Sequence, residues 1–297
     1  MYRLGLDIGG TKINAGIIEY SEGKAQVLAI RKLEVKKVGD VFGEIFDAVT
    51  DMCAETGIAY SEIASCGVGI PGTVSADRKK IIKVPNIAIL SEDFAILLER
   101  KLDMPVFMLQ DSRAAAWGEY LCGGGKGADT LICITIGTGI GTGVVINGKI
   151  FNGGLGSAGE LGHVPVVEGG RPCGCGKNGC MEKYCAGGGL DITARELLGE
   201  SNGSRELFAA ARSGNTEAET AIDNAVLLLG RTVVSAVNLL SPNAVLFSGG
   251  MSEEEKFLGG VIEYVRTHCY SAGEIPFLGK AELGELSPMI GAALCDL

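Results

Sequence analysis

Four residues that favour soft metals fall within eighteen positions: His163, Cys173, Cys175 and Cys180, spaced His-x9-Cys-x-Cys-x4-Cys. One imidazole and three thiolates suit a closed tetrahedral zinc site. Gly174, Gly176 and Gly179 permit the tight loop that wrapping a metal needs. A closed site leaves no coordination position for water, so such a zinc would be structural. The competing reading is three clustered thiols without a metal in a reducing compartment. Cys185 is a substitute ligand by type, but its surroundings read as helix.

Phosphate chemistry is suggested elsewhere. In Asp7-Ile8-Gly9-Gly10-Thr11-Lys12, a carboxylate near a strand end precedes a glycine turn carrying a hydroxyl and an amine. Glycines let backbone N–H groups face phosphate oxygens without a Cβ in the way. Asp7 is placed to hold Mg²⁺ through water, because that ion keeps much of its hydration. A Walker A loop is excluded, since a strand follows rather than a helix. Gly137-Thr138-Gly139-Ile140-Gly141 is a second such turn, and Ser248-Gly249-Gly250 a third, suited to close approach by a nucleoside. Each also reads as a plain glycine turn. Gln110-Asp111 ends a strand, where a general base reaches the hydroxyl it deprotonates; the alternative for Asp111 is an N-cap. Glu160 and Glu182 flank the metal ligands and, with His163, could bond sugar hydroxyls; the alternative for either carboxylate is a solvent-exposed loop residue. The basic run Arg78, Lys79, Lys80, Lys83 reads as a solvated loop.

These residues need a frame. Apolar runs predict strands at 2–8, 13–19, 27–35, 64–70, 106–109, 131–136, 143–146 and 244–247. Helical spacing appears at 41–56, 91–102, 112–121, 204–240 (with one long apolar helix at 217–240), 253–267 and 288–297. A shift of 128 residues lays Leu6, Ile8, Gly9, Ala15, Ile17 and Ile18 onto Ile134, Ile136, Gly137, Gly143, Val145 and Ile146, a weak internal repeat. Two α/β domains are therefore expected, 1–118 and 119–287, with the terminal helix packing back on the first. The 297 residues, 46% of them apolar, suffice for that core. A net charge of −10 repels nucleic acid and acidic membranes, so neither is an expected partner. No targeting segment opens the chain and no run reaches the roughly 18 apolar residues of a membrane span. Ten cysteines in such a chain are expected to be cytoplasmic thiols.

In this order the motifs resemble the ROK family of sugar kinases and sugar-responsive regulators, within the actin-like and hexokinase-like superfamily. The resemblance rests on DIGGTK (7–12), GVGIPG (67–72), QDSRAAAWGE (110–119), the segment 134–163, CGCGKNGCME (173–182) and LSPNAVLFSGG (240–250). It implies two actin-like, ribonuclease H-like domains with a cleft between them and the zinc loop in the second. It implies ATP and Mg²⁺ as cofactors, structural Zn²⁺, a small-molecule sugar as substrate, and a homodimer. Asp111 matches the catalytic base. Gly72, Asn86, Gln110, Glu160, His163 and Glu182 match sugar-site positions. Asp7, Gly9, Gly10, Thr11, Lys12, Thr138 and Gly139 match the Mg²⁺ and phosphate positions, and Gly249 and Gly250 the nucleoside turn. The chain departs where the family usually has Asn-Asp followed by a second Asn: here stand Gln110-Asp111 and Arg113. That leaves the sugar open among glucose, N-acetylmannosamine, N-acetylglucosamine, allose and fructose. The rival reading is a sugar-sensing regulator or partner-binding protein. Family repressors carry a DNA-binding segment before the first strand, and only six residues precede Asp7.

Overall fold

The computed structural model describes residues 1–35, 40–84, 87 and 89–297. By contact density, Met1–Gly127 groups with Gly143–Ala158 and Glu282–Leu297, and Ala128–Thr142 groups with Gly159–Ala281. The fold contains two mixed α/β sheets, and the two sheets follow one plan.

The first sheet contains β1 (Tyr2–Ile8), β2 (Lys12–Ser21), β3 (Lys24–Glu34), β4 (Ile63–Ile70) and β7 (Val106–Gln110), in the order β3-β2-β1-β4-β7. The second contains β8 (Thr130–Ile136), β9 (Ile140–Ile146), β10 (Lys149–Ile150), β11 (Ala244–Ser248) and β12 (Phe277–Lys280), in the order β10-β9-β8-β11-β12. Counted from its own first strand, each sheet runs 3-2-1-4-5. Even the hairpins correspond. Glu22-Gly23 (φ 51° and 69°) joins β2 to β3, and Asn147-Gly148 (φ 49° and 72°) joins β9 to β10. Two consecutive positive φ values make the turn whose twist matches the flanking strands.

In the first unit, β1 and β4 turn Leu4, Leu6 and Val68 into a core shared with Ile45, Val49 and Met52 of α1 (Val41–Thr56) and Phe94 and Leu98 of α2 (Phe94–Leu102). Helix α1 buries residues at the 3- and 4-residue spacing of an amphipathic helix and stops at Gly57, whose N–H caps Cys53 O. Behind the sheet, α9 (Ser287–Ala293) packs on β1, β4 and α3 (Asp111–Cys122). Its backbone comes so close that a Cβ on Gly67 of β4 would lie 1.7 Å from Ala292 O, and one on Gly291 would lie 1.7 Å from Ala114 O of α3. Trp117 Nε1 donates to Leu294 O at 2.8 Å. A short hairpin, β5 (Thr73–Val74) with β6 (Ile81–Lys83), carries the basic run. That run is anchored more than expected: Arg78 donates to Cys295 O, while Lys79 bonds Val106 O, pairs with Glu99 and lies 4.6 Å from the Phe107 ring centroid. Lys80 and Lys83 are exposed.

In the second unit, α4 (Glu182–Cys185), α5 (Gly187–Leu198), α6 (Ser204–Arg212), α7 (Thr216–Leu240) and α8 (Glu255–His268) surround the sheet. Helix α7 is long and apolar enough by composition to cross a bilayer, yet it is a core helix. Its Ile222, Ala225, Leu229, Val233 and Val237 join Phe247 of β11 and Phe257 and Val261 of α8 in one buried cluster. Its start is set by Asn215, whose side chain accepts the Ala218 N–H. Strand β12 and helix α5 were not foreseen. Both are short or glycine-rich segments, whose shape comes from the sheet or loop they join.

Candidate active site

In the first unit, β1 carries Asp7 and the antiparallel register sets Asn14 of β2 opposite it. Asn14 Nδ2 donates to Asp7 Oδ2 at 3.1 Å. Burial pushes the Asp7 carboxyl above the usual carboxylate range, and the Asn14 bond and the Lys12 charge only partly offset it. The turn beyond is closed by Gly9 N–H on Lys12 O at 2.9 Å, which leaves Gly10, Thr11 and Lys12 exposed. A Cβ at Gly10 would meet nothing within 4 Å, so an incoming group has free access to this backbone.

Strand β7 delivers Gln110, paired with Ile70 of β4, and α3 begins on the next residue, Asp111. The helix thus starts one residue earlier than expected, with Gln110 in the N-cap position. The Asp111 Oδ1 accepts the Ser112 N–H at 2.6 Å. Gly72 lies where a Cβ would come within 2.3 Å of Lys83 O, so only a glycine lets these two chain segments meet. Asn86 lies outside the described residues.

The second unit holds the metal-type cluster. The ligand atoms of His163, Cys173, Cys175 and Cys180 all lie within 4.8 Å of one another. Cys175 Sγ is 3.5 Å from Cys180 Sγ, and Cys173 Sγ is 3.6 Å from His163 Nδ1. Those separations are close to the edges of a tetrahedron with metal–sulfur bonds of about 2.3 Å. Burial pushes the Cys173 thiol well above its ordinary range, and a bound cation would reverse that by stabilising the thiolate. Cys185 is excluded from the cluster: it is buried at the end of α4, with its thiol on Ala225 O.

The loop that carries these ligands is built by backbone pairing. Pro165 bridges Cys180, Pro172 bridges Asn178, and the Gly176 N–H closes on Cys173 O. Arg171, which the sequence reading passed over, fastens the loop to the helices behind it. Its guanidinium donates to Lys183 O, Gly189 O and Thr193 Oγ1, pairs with Glu196, and lies 5.0 Å from the Tyr184 ring centroid.

Around the cluster stand the two predicted carboxylates. His163 turns Nδ1 toward the thiols and Nε2 toward Glu160 Oε2, 3.8 Å away. Glu182 opens α4, and its Oε1 accepts from the Cys173 thiol at 3.0 Å. The other Glu182 oxygen would lie 2.9 Å from a Cβ on Gly139. The zinc-type loop therefore abuts the Thr138-Gly139 turn directly. That turn is held by its own Gly137 N–H on Gly139 O and by the first two amides of α5, Gly187 on Gly137 O and Gly188 on Thr138 O. Gly249 takes φ 86° after β11, a Cβ there would lie 2.5 Å from Ile136 O, and Gly250 is open. A separate groove of about 530 Å³ between α5 and α7, lined by Thr193, Glu196, Thr220 and Asn224 among others, contains none of the predicted residues.

Two residues beyond the predictions touch these positions. Asn14 was legible in principle, because a polar side chain in an apolar strand faces Asp7 once the hairpin is registered. Arg171 carried no local signal.

A ROK family model matches residues 3–295. A glucokinase of Streptomyces coelicolor is 32% identical over 98% of this chain and 96% of its own. An N-acetyl-D-glucosamine kinase of Haemophilus influenzae is 27% identical over 97% of each chain. Among solved structures, a ROK hexokinase from Thermus thermophilus superposes with a TM-score of 0.86 at 32% identity, covering 99% of this chain and 97% of that one. A ROK family glucokinase from Streptomyces griseus, solved with glucose and AMPPNP, superposes at 0.80 with 31% identity and 99% coverage of both.

Proposed function

The chain belongs to the ROK family and is an ATP-dependent sugar kinase, and from that premise we propose that it phosphorylates a hydroxyl of glucose or an N-acetylhexosamine with Asp111 as general base. The observation that carries this reading is the end-to-end likeness to a glucokinase solved with glucose and a nucleotide analogue.

In the proposed reaction a sugar hydroxyl oxygen attacks the γ-phosphorus. The bond from that phosphorus to the β,γ-bridging oxygen breaks, ADP leaves, and the hydroxyl proton passes to Asp111. Glu160, His163 Nε2, Glu182 and Gln110 orient the sugar by directional hydrogen bonds, with Gly72 and Asn86 at its edge. Gly9, Gly10, Thr11, Lys12, Thr138 and Gly139 present N–H, hydroxyl and ammonium groups to the phosphates, and Gly249 and Gly250 lie by the nucleoside. Positioning and charge stabilisation supply most of the rate enhancement in such transfers.

Two metals fit these residues. Asn14 Oδ1 is buried beside Asp7 and accepts no hydrogen bond from the described residues, which suits a water of hydrated Mg²⁺. When bound, that ion would neutralise charge on the β- and γ-phosphates. The His163, Cys173, Cys175 and Cys180 set suits structural zinc, which would hold the loop bearing His163 next to Glu182. We place the enzyme in the cytoplasm, where reduced cysteines persist, and expect a homodimer.

The test is an ATP-to-ADP coupled assay with Mg²⁺ over a panel of hexoses and N-acetylhexosamines. Turnover with glucose or an N-acetylhexosamine is expected. Turnover with none, while a sugar still raises the melting temperature, would replace the kinase with a sugar sensor.

A further inference from the structure

Arg113 is a charged side chain with only 3% of its surface exposed, one turn into α3. Its guanidinium reaches across 39 to 45 residues of sequence to one loop. Nη1 donates to Asn152 Oδ1 at 3.0 Å, and Nη2 donates to Gly156 O at 2.8 Å and Ala158 O at 3.0 Å. Among the described residues, few other bonds hold the loop. Gly153 and Gly156 take φ 68° and 76°, Leu155 at the tip is 95% exposed, and the internal backbone bonds are Ala158 N–H to Asn152 O at 3.1 Å and Gly156 N–H to Gly153 O at 3.4 Å.

The clamp has a chemical address at both ends. Arg113 lies two residues after Asp111 on the same helix. Ala158, the last residue it grips, lies two residues before Glu160. No shorter side chain spans three acceptors in this way; the guanidinium does so because its donors are splayed in a rigid fork. Burying that charge is costly unless its hydrogen bonds are met, so loop and helix are interdependent.

We propose that Arg113 is a positioning residue for the acceptor sugar: by fixing residues 152–158 to the start of α3 it holds the backbone that leads into Glu160, and so governs how tightly and how selectively the sugar is held. This rests on the kinase reading above. It assigns Arg113 no contact with the reacting atoms.

The test compares Arg113→Ala, Arg113→Lys and Asn152→Ala with the parent enzyme, each checked for a cooperative melt. Sugar KM, ATP KM and kcat are measured on the sugar panel, together with hydrogen exchange of the Gly156 and Ala158 amides. Arg113→Ala is expected to raise sugar KM at least tenfold, to change the ranking of sugars, to leave ATP KM within twofold and kcat within about fivefold, and to speed exchange at both amides. Arg113→Lys should recover part of the sugar KM. Asn152→Ala, at an exposed loop position that cannot unfold the core, removes one of the three bonds and should raise sugar KM two- to fivefold. Unchanged sugar KM and unchanged exchange in Arg113→Ala and Asn152→Ala, with an active parent, overturn the proposal. So does an equal loss across kcat and both KM values, which marks a merely structural role. A parent inactive on every sugar defeats the kinase reading itself, a result distinct from either.

Discussion

At the scale of single residues, the two carboxylates of the first unit occupy unlike settings. Asp7 is mostly buried and bonded to Asn14, and its burial opposes ionisation. Asp111 sits at a helix start, and its Oδ1 accepts the Ser112 N–H. A carboxyl group at a strand-to-helix junction is the type of group that the proposed base for a sugar hydroxyl requires. Asp111→Asn keeps the shape and removes the basicity. We expect kcat to fall about 10²- to 10⁴-fold, the size of a general-base contribution, with sugar KM within a few-fold and the melting temperature unchanged. Steady-state kinetics with parallel melts would check it, and near-normal kcat would remove Asp111 from the role. His163 turns Nδ1 toward the thiols and Nε2 toward Glu160, so under the proposed function one residue would serve both the metal-type cluster and the sugar.

At the scale of elements, α3 is the spine of the first unit. It starts with Asp111, clamps the 152–158 loop through Arg113, and lies on α9 through glycines. Its far end is fixed by Glu119, fully buried, whose carboxylate accepts the N–H groups of Gly124, Glu282 and Leu283. Burial raises the Glu119 pKa despite those bonds. A carboxyl with a raised folded pKa adds stability in full below its unfolded value, about 4.3, and loses it as pH rises through the folded value. The margin by which the parent protein exceeds Glu119→Gln in melting temperature should therefore be widest near pH 4 and shrink toward pH 7. A margin that grows with pH would mean that the backbone bonds outweigh burial. Elsewhere the sheet–helix contact is too close for any side chain. A Cβ on Gly67 would sit 1.7 Å from Ala292 O, so Gly67→Ala must displace α9. Overpacking of this kind costs about 1–3 kcal/mol or more, readable as a lowered midpoint in urea.

At the scale of the whole molecule, the two sheets share strand order and hairpin form. Each presents a glycine turn after its first strand, Gly9-Gly10 in one and Gly137-Thr138-Gly139 in the other. Only the second adds the Cys/His loop, and that loop has few apolar residues to hold it. The proposed zinc should therefore contribute to the stability of the second unit. Purified protein is expected to carry one zinc per chain by elemental analysis. Cys175→Ser should lower that content and the melting temperature together, and stripping the parent protein with a strong chelator should do the same. Zinc-free protein with unaltered melting would leave the cluster as plain thiols.

What could be read from the chain alone was whatever depends on neighbours in sequence. The DIGGTK turn, the Cys/His spacing, the alternation of most strands and the period of α1 and α7 are local, and the structure has them where the residues place them. The 128-residue repeat, weak in the letters, is plain in the two matching strand orders, because side chains drift while backbone pairing persists. What only the tertiary structure decided depends on contacts between distant segments. Asn14 meets Asp7 through strand register, Arg171 reaches 12 to 25 residues on to α4 and α5, and Arg113 reaches 39 to 45 residues on to its loop. As a residue type, Arg113 was visible only as an odd letter beside the proposed base. Its meaning appeared once folding put three acceptors within reach of one guanidinium, since hydrogen bonds are set by distance in space and not along the chain.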